Sequence, residues 1–80
     1  MMQQQQEAHM ALEKSLADDA SGQFKNELIS EFTMRSQEVR VAMNRGVPPE
    51  QYQKLQKFSQ ALDAAAQVVD EMWSRLRQTG

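Results

Sequence analysis

"NRGVPPEQYQKLQ", residues 44–56, holds both prolines of an 80-residue chain and one of its three glycines. Gly46 can adopt the left-handed conformation that closes a helix, and Arg45 places a cation in the last turn, where the helix dipole favours one. Pro48 and Pro49 cannot continue a helix arriving from behind. Pro49 suits the first position of a new helix, where its missing N–H would have had no intrahelical partner. Glu50 then lies in the first turn, the end that favours an anion. One helix therefore stops and another starts across a turn at 45–48, and so short a connection predicts antiparallel neighbours.

The downstream flank reads as a helix over 49–78. Tyr52, Leu55, Ser59, Leu62, Ala66, Val69, Trp73 and Leu76 recur at spacings of three and four, a heptad seam with one polar member. The upstream flank predicts a helix over 22–44, with Ser21 as its N-cap. Phe24, Leu28, Phe32, Val39 and Met43 form its apolar stripe, interrupted by Arg35 and Ser36. "ADDASG", residues 17–22, reads as a break. Before it, residues 8–17 predict a short helix with Ala8, Leu12 and Leu16 on one face, and the glutamine-rich residues 1–7 are expected to be flexible. The predicted fold is a single all-α domain over residues 1–80: an antiparallel, coiled-coil-like helical hairpin with a short N-terminal helix.

The second hairpin helix carries more apolar surface than a hairpin uses. Phe58, Ala61, Ala65, Val68 and Met72 form a second row beside the heptad seam. One partner helix covers one seam. The second row must be covered by the N-terminal helix, by a second copy or by another protein. The first hairpin helix has too few large residues to cover it, which favours another chain. The alanine-rich segment "ALDAAAQVV", residues 61–69, allows close approach of a second backbone.

Composition narrows the function classes. There is no cysteine, so thiol chemistry and disulfides are excluded, in keeping with a reducing cytoplasm. Net charge is −2 with the two signs interspersed, which gives nucleic acid no basic patch. No run is apolar enough for a membrane span, and the start "MMQQQQEAHM" lacks the pattern of a secretory signal. His9 is the only histidine and reads as a surface residue, with no partner ligands for a metal. Asp18-Asp19 lacks the alternating oxygens of a calcium loop and reads as a solvated turn. Asp70-Glu71 reads as part of a solvated face. No phosphate-binding loop and no nucleophile–base pair occurs. The expectation is a protein without catalysis, metal or cofactor.

The segments 44–56 and 61–69 resemble the small co-chaperones of bacterial type III secretion needle subunits, the E-type members of the Yersinia, Pseudomonas and Aeromonas systems. In that family an arginine-glycine turn precedes a glutamine–aromatic–glutamine run and then an alanine-leucine pair. Here those are Arg45-Gly46, Gln51-Tyr52-Gln53 and Ala61-Leu62. Pro49-Glu50 matches the form with proline and glutamate ahead of the glutamine, and "LEKSL" at 12–16 resembles the family's leucine-bearing N-terminal segment. The resemblance runs over residues 12–76 and is specific over 45–62. The glutamine-rich extension and the acidic "ADDASG" break depart from it.

The resemblance implies a helical hairpin in the bacterial cytoplasm that binds a larger tetratricopeptide-like chaperone. Through that chaperone it would help to keep the needle subunit monomeric and soluble before export. Phe58, Leu62, Ala65, Val69, Met72 and Trp73 are the expected partner contacts, with Phe32 and Val39 from the first helix. Self-association is the expected alternative cover for the same face when the protein is alone. Two other readings stand beside this one: the needle filament subunit itself, and a homodimeric coiled-coil adaptor. Needle turns typically separate their two prolines by two polar residues, whereas Pro48 and Pro49 are adjacent.

Overall fold

The computed structural model describes the backbone of residues 2–78 and the side chains of residue 7 and of residues 10–78. The described residues form three helices: α1 (Met2–Ala17), α2 (Gln23–Asn44) and α3 (Pro49–Gln78). The fold is all-α: α2 and α3 make a helical hairpin, and α1 is a shorter helix ahead of it. α1 begins at Met2, upstream of the expected start at residue 8, because the glutamine tract continues the helix. His9, read as a surface residue, has its side chain outside the described residues.

The turn works as its residues dictate. Gly46 has φ +91° and nothing near its missing Cβ, so only the left-handed backbone calls for glycine there. The Arg45 N–H donates to the Val41 carbonyl at 3.2 Å and the Gly46 N–H to that of Met43 at 3.2 Å, closing α2. Pro49 is the first residue of α3, and the Tyr52 N–H donates back to the Pro48 carbonyl at 2.9 Å.

Seam residues of α2 and α3 form the core. Leu62 and Val69 are buried, with Leu55, Ala66, Leu28, Ile29, Phe32 and Val39 half-buried around them. Burying a side chain of the Leu or Val class fully stabilises by about 1.5–3 kcal/mol. Ser36 does not interrupt the stripe. It is 1% exposed and meets Ser59, 4% exposed, across the hairpin. The Ser36 hydroxyl donates to the Ser59 carbonyl at 3.3 Å, and the Ser59 hydroxyl to the Gln56 carbonyl at 3.0 Å. Two small side chains let the backbones approach, and both hydroxyls are satisfied in the dry contact. Two ion pairs tie one edge of the hairpin, Arg40 with Asp63 and Lys25 with Asp70, the latter at 3.7 Å.

The α1–α2 connection departs from the sequence expectation. Gly22, with φ +80°, occupies the N-cap position of α2. The cap is Asp19: its carboxylate accepts from the Phe24 N–H at 3.1 Å and the Lys25 N–H at 2.9 Å. Ser21, expected as the cap, accepts only from the Gln23 N–H at 3.3 Å. Asp19 therefore belongs to a structural cap and not to a solvated turn. Desolvation raises its pKa, but the N–H groups of Lys25 and Phe24, the Arg77 charge and the Gly22 N–H together outweigh that and hold the carboxyl below its ordinary value. Asp70 likewise reaches across the hairpin to Lys25, and Glu71 accepts from Gln67 Nε2 at 3.2 Å.

α3 grips this connection from the other end of the chain. One Arg77 guanidinium nitrogen donates to the carbonyls of Leu16 at 2.7 Å, Ala17 at 3.0 Å and Asp19 at 2.8 Å. A cation thus sits at the negative end of α1. Trp73 packs its ring 3.3 Å from where a Cβ on Gly22 would stand, with the Lys25 ammonium 4.6 Å and the Arg77 guanidinium 5.1 Å from the ring centroid. Leu16 is fully buried beneath this junction. α1 packs on α3 more than on α2.

Candidate partner-binding surface

α3 presents two apolar rows, and the fold disposes of only one. At about 100° per residue, Asp63 and Asp70 fall on one flank of the α3 seam and Phe58, Ala65 and Met72 on the other. The first flank carries the ion pairs to α2. The second carries no ion pair to α2 among the described residues. Phe58 remains 54% and Val68 51% exposed, Ala61 is exposed, and Ala65 and Met72 are half-buried. On α2, Phe24, 38% exposed, and half-buried Leu28 lie on the flank away from Arg40, hence on the same side as this row.

The molecule measures 48 × 30 × 15 Å. α1 packs chiefly on α3, with Met10, Glu13, Lys14 and Ala17 gathered around Leu76 near its C-terminal end. Accessible surface totals 6358 Å². A compact monomer of 9.2 kDa is expected to expose roughly 4,900 Å².

The structure divides the residues expected to contact a partner. Phe58, Ala65 and Met72 lie on the open row. Leu62 and Val69, 9% and 3% exposed, face α2 and offer almost nothing to a partner while the hairpin is intact. Phe32 and Val39 are half-buried in the same seam. Trp73 is half-buried, and its N–H donates to the Asp19 carbonyl, so its principal contacts are within the chain. Helical phase separates the open row from the buried seam. The grip of Trp73 and Arg77 on a segment more than fifty positions earlier has no local signal.

The site offers apolar area and little else. No group of three His, Cys, Asp or Glu side chains that could hold a metal forms among the described residues. An open hollow of about 810 Å³ runs along the outer side of α2, lined by polar residues such as Gln23, Glu27 and Glu31 together with Met34. No described helix is long and apolar enough to cross a membrane.

Over residues 10–76 the chain matches the family described as "Type III secretion system, cytoplasmic E component of needle". The chain belongs to that family. It is a cytoplasmic component of the needle-associated part of a type III secretion system, in keeping with a chaperone role, and the family is not one of enzymes. The matched span takes in α2, the turn and nearly all of α3, so the whole exposed row lies within it. Comparison with curated proteins and with solved structures gives no match.

Proposed function

We propose that this protein is a co-chaperone: it binds a larger tetratricopeptide-like chaperone and with it keeps the needle subunit monomeric and soluble in the cytoplasm before export. Membership of the cytoplasmic E family supports the setting. The observation that carries the binding role is the second apolar row of α3, where Phe58 is 54% and Val68 51% exposed beside Ala61, Ala65 and Met72. Its mechanism is burial, not catalysis. Apolar area on both proteins leaves water at roughly 25 cal/mol per Å², less the costs of association. Phe58 and Met72 anchor the contact, and Ala65 between them lets the partner's backbone come close. Leu62, Val69, Phe32 and Val39 hold the hairpin that presents the row, and Trp73 sets its C-terminal end.

The test is recovery of tagged protein from its native bacterium, with partners identified by mass spectrometry and then reconstituted from pure components. The expected result is a complex with a tetratricopeptide-like protein and a needle subunit, lost in Phe58→Asp and Met72→Asp. Recovery of the protein alone, self-paired through the same row, would sink the proposal, as would filaments made of this chain.

A further inference from the structure

The charges beside the second row of α3 come in the same order at both of its ends. Glu50 and Lys54 stand at the N-terminal end, Glu71 and Arg75 at the C-terminal end, each acid four residues ahead of its base. All four side chains are exposed. A spacing of four also suits a contact within the helix. Neither pair closes as an ion pair among the described residues, and Glu71 accepts from Gln67 instead. A two-fold axis between Leu62 and Asp63 sets Glu50 opposite Arg75 of a second, antiparallel copy, and Lys54 opposite Glu71. A parallel pair in register would set every charge against its like. The residues at that axis are small: Ala61 of one copy falls beside Ala64 of the other, and both are exposed. Phe58 comes within one residue of the level of Val68 of the other copy, about 1.5 Å along the helix. Asp63 and Asp70 stay on the other flank, paired to α2.

We propose that the free protein forms an antiparallel, two-fold dimer through this face of α3, its register fixed by Glu50 with Arg75 and Lys54 with Glu71 between the copies. An isologous interface requires a surface complementary to itself, and this one is complementary in charge. Apolar contact holds the pair together. The charges exclude the alternatives: a slip of four residues one way sets Glu50 against Glu71, and the other way Lys54 against Arg75. With Ala61, Ala64 and Ala65 at its centre the interface buries few large side chains, so the pair is weak and reversible. Resting on the co-chaperone reading, the second copy covers the row until the chaperone displaces it.

The test is sedimentation velocity of the full chain over about 1–300 μM, where the dimer fraction should rise with concentration. It is run at about 50 mM salt to limit screening. Lys54→Glu and Glu71→Lys each place like charges opposite one another at both symmetric positions, and each should weaken self-association about tenfold. Mixed together, these two variants regain opposite charges at those positions and should form a heterodimer about as tight as the wild-type pair. Charge contacts confined to one helix would produce no such rescue. Far-UV circular dichroism should stay unchanged, since both side chains are exposed. A wild type that stays monomeric across the range overturns the inference, as do single variants that pair like the wild type, or a mixture no tighter than its components. Adding purified tetratricopeptide-like chaperone should convert the dimer to a complex holding one copy. A complex that keeps both copies overturns displacement through a shared face. A dimer that the chaperone leaves untouched sinks the co-chaperone reading and leaves the self-pairing supported.

Discussion

The Trp73 indole N–H donates to the backbone carbonyl of Asp19 at 2.8 Å, joining the last turns of α3 to the loop that launches α2, 54 positions earlier. Trp73→Phe keeps the ring against Gly22 and removes this bond. The Asp19 carbonyl still accepts from Arg77, so it is not left bare. The expected cost is about 1 kcal/mol, a fall in thermal midpoint of roughly 4–8 °C for a domain of this size. Amide exchange confined to the α1–α2 connection should quicken while that of the central hairpin does not.

Asp19 gives the same junction a pH dependence. Its folded pKa lies below the model-compound value of 3.8. A depressed carboxyl stabilises the fold fully above its unfolded pKa and loses that contribution as pH falls through the lower folded value. The stability difference between wild type and Asp19→Asn should therefore be greatest near neutrality and shrink in acid below 3.8. Denaturant melts of both proteins over that range measure it. A gap that widens in acid contradicts the capping role.

Gly22 and Gly46 separate backbone strain from crowding. Both have positive φ, but a Cβ at Gly22 would lie 3.3 Å from the Trp73 ring whereas one at Gly46 meets nothing. Gly46→Ala should cost about 1 kcal/mol, the left-handed penalty alone. Gly22→Ala should cost about 1–3 kcal/mol more, as the indole is pushed off its partners. Equal melting curves for the two variants would show that the Trp73 contact yields without cost.

Phe58 and Val69 distinguish the open row from the core. Phe58→Asp, at a position 54% exposed, should change stability by no more than about 0.5 kcal/mol. Val69→Asp, at a position 3% exposed, puts an unpaired carboxylate between two helices and should unfold the hairpin. Far-UV circular dichroism of the two proteins decides it. A folded Val69→Asp variant would mean that the two rows have been assigned the wrong way round.

Most of the hairpin was legible because its signals are local. Gly46 and Pro49 act on their own backbones, and the spacing of Leu55, Leu62 and Val69 acts through helical geometry alone. The open row followed from the same geometry, since Phe58 and Met72 lie too far round the helix to share the α2 seam. Ser36 was misread because a polar residue in a stripe looks like an interruption until a second small residue, Ser59, is found opposite it. Asp19 was misread because its cap reaches five and six residues ahead, beyond the spacing of an ordinary N-cap.

By itself the sequence determined three things: a turn at 45–48, long helices on either side of it, and an apolar surplus on the second. Each depends on backbone chemistry or on periodicity within one helix. Only the tertiary structure decided where α1 goes and which surplus stays open. That decision rests on Trp73 and Arg77 meeting the carbonyls of Leu16, Ala17 and Asp19. A carbonyl attracts any nearby donor, so no pattern in the sequence says which will reach it. The choice is made where Leu16 becomes fully buried beside these contacts, while Phe58 and Val68 stay more than half exposed.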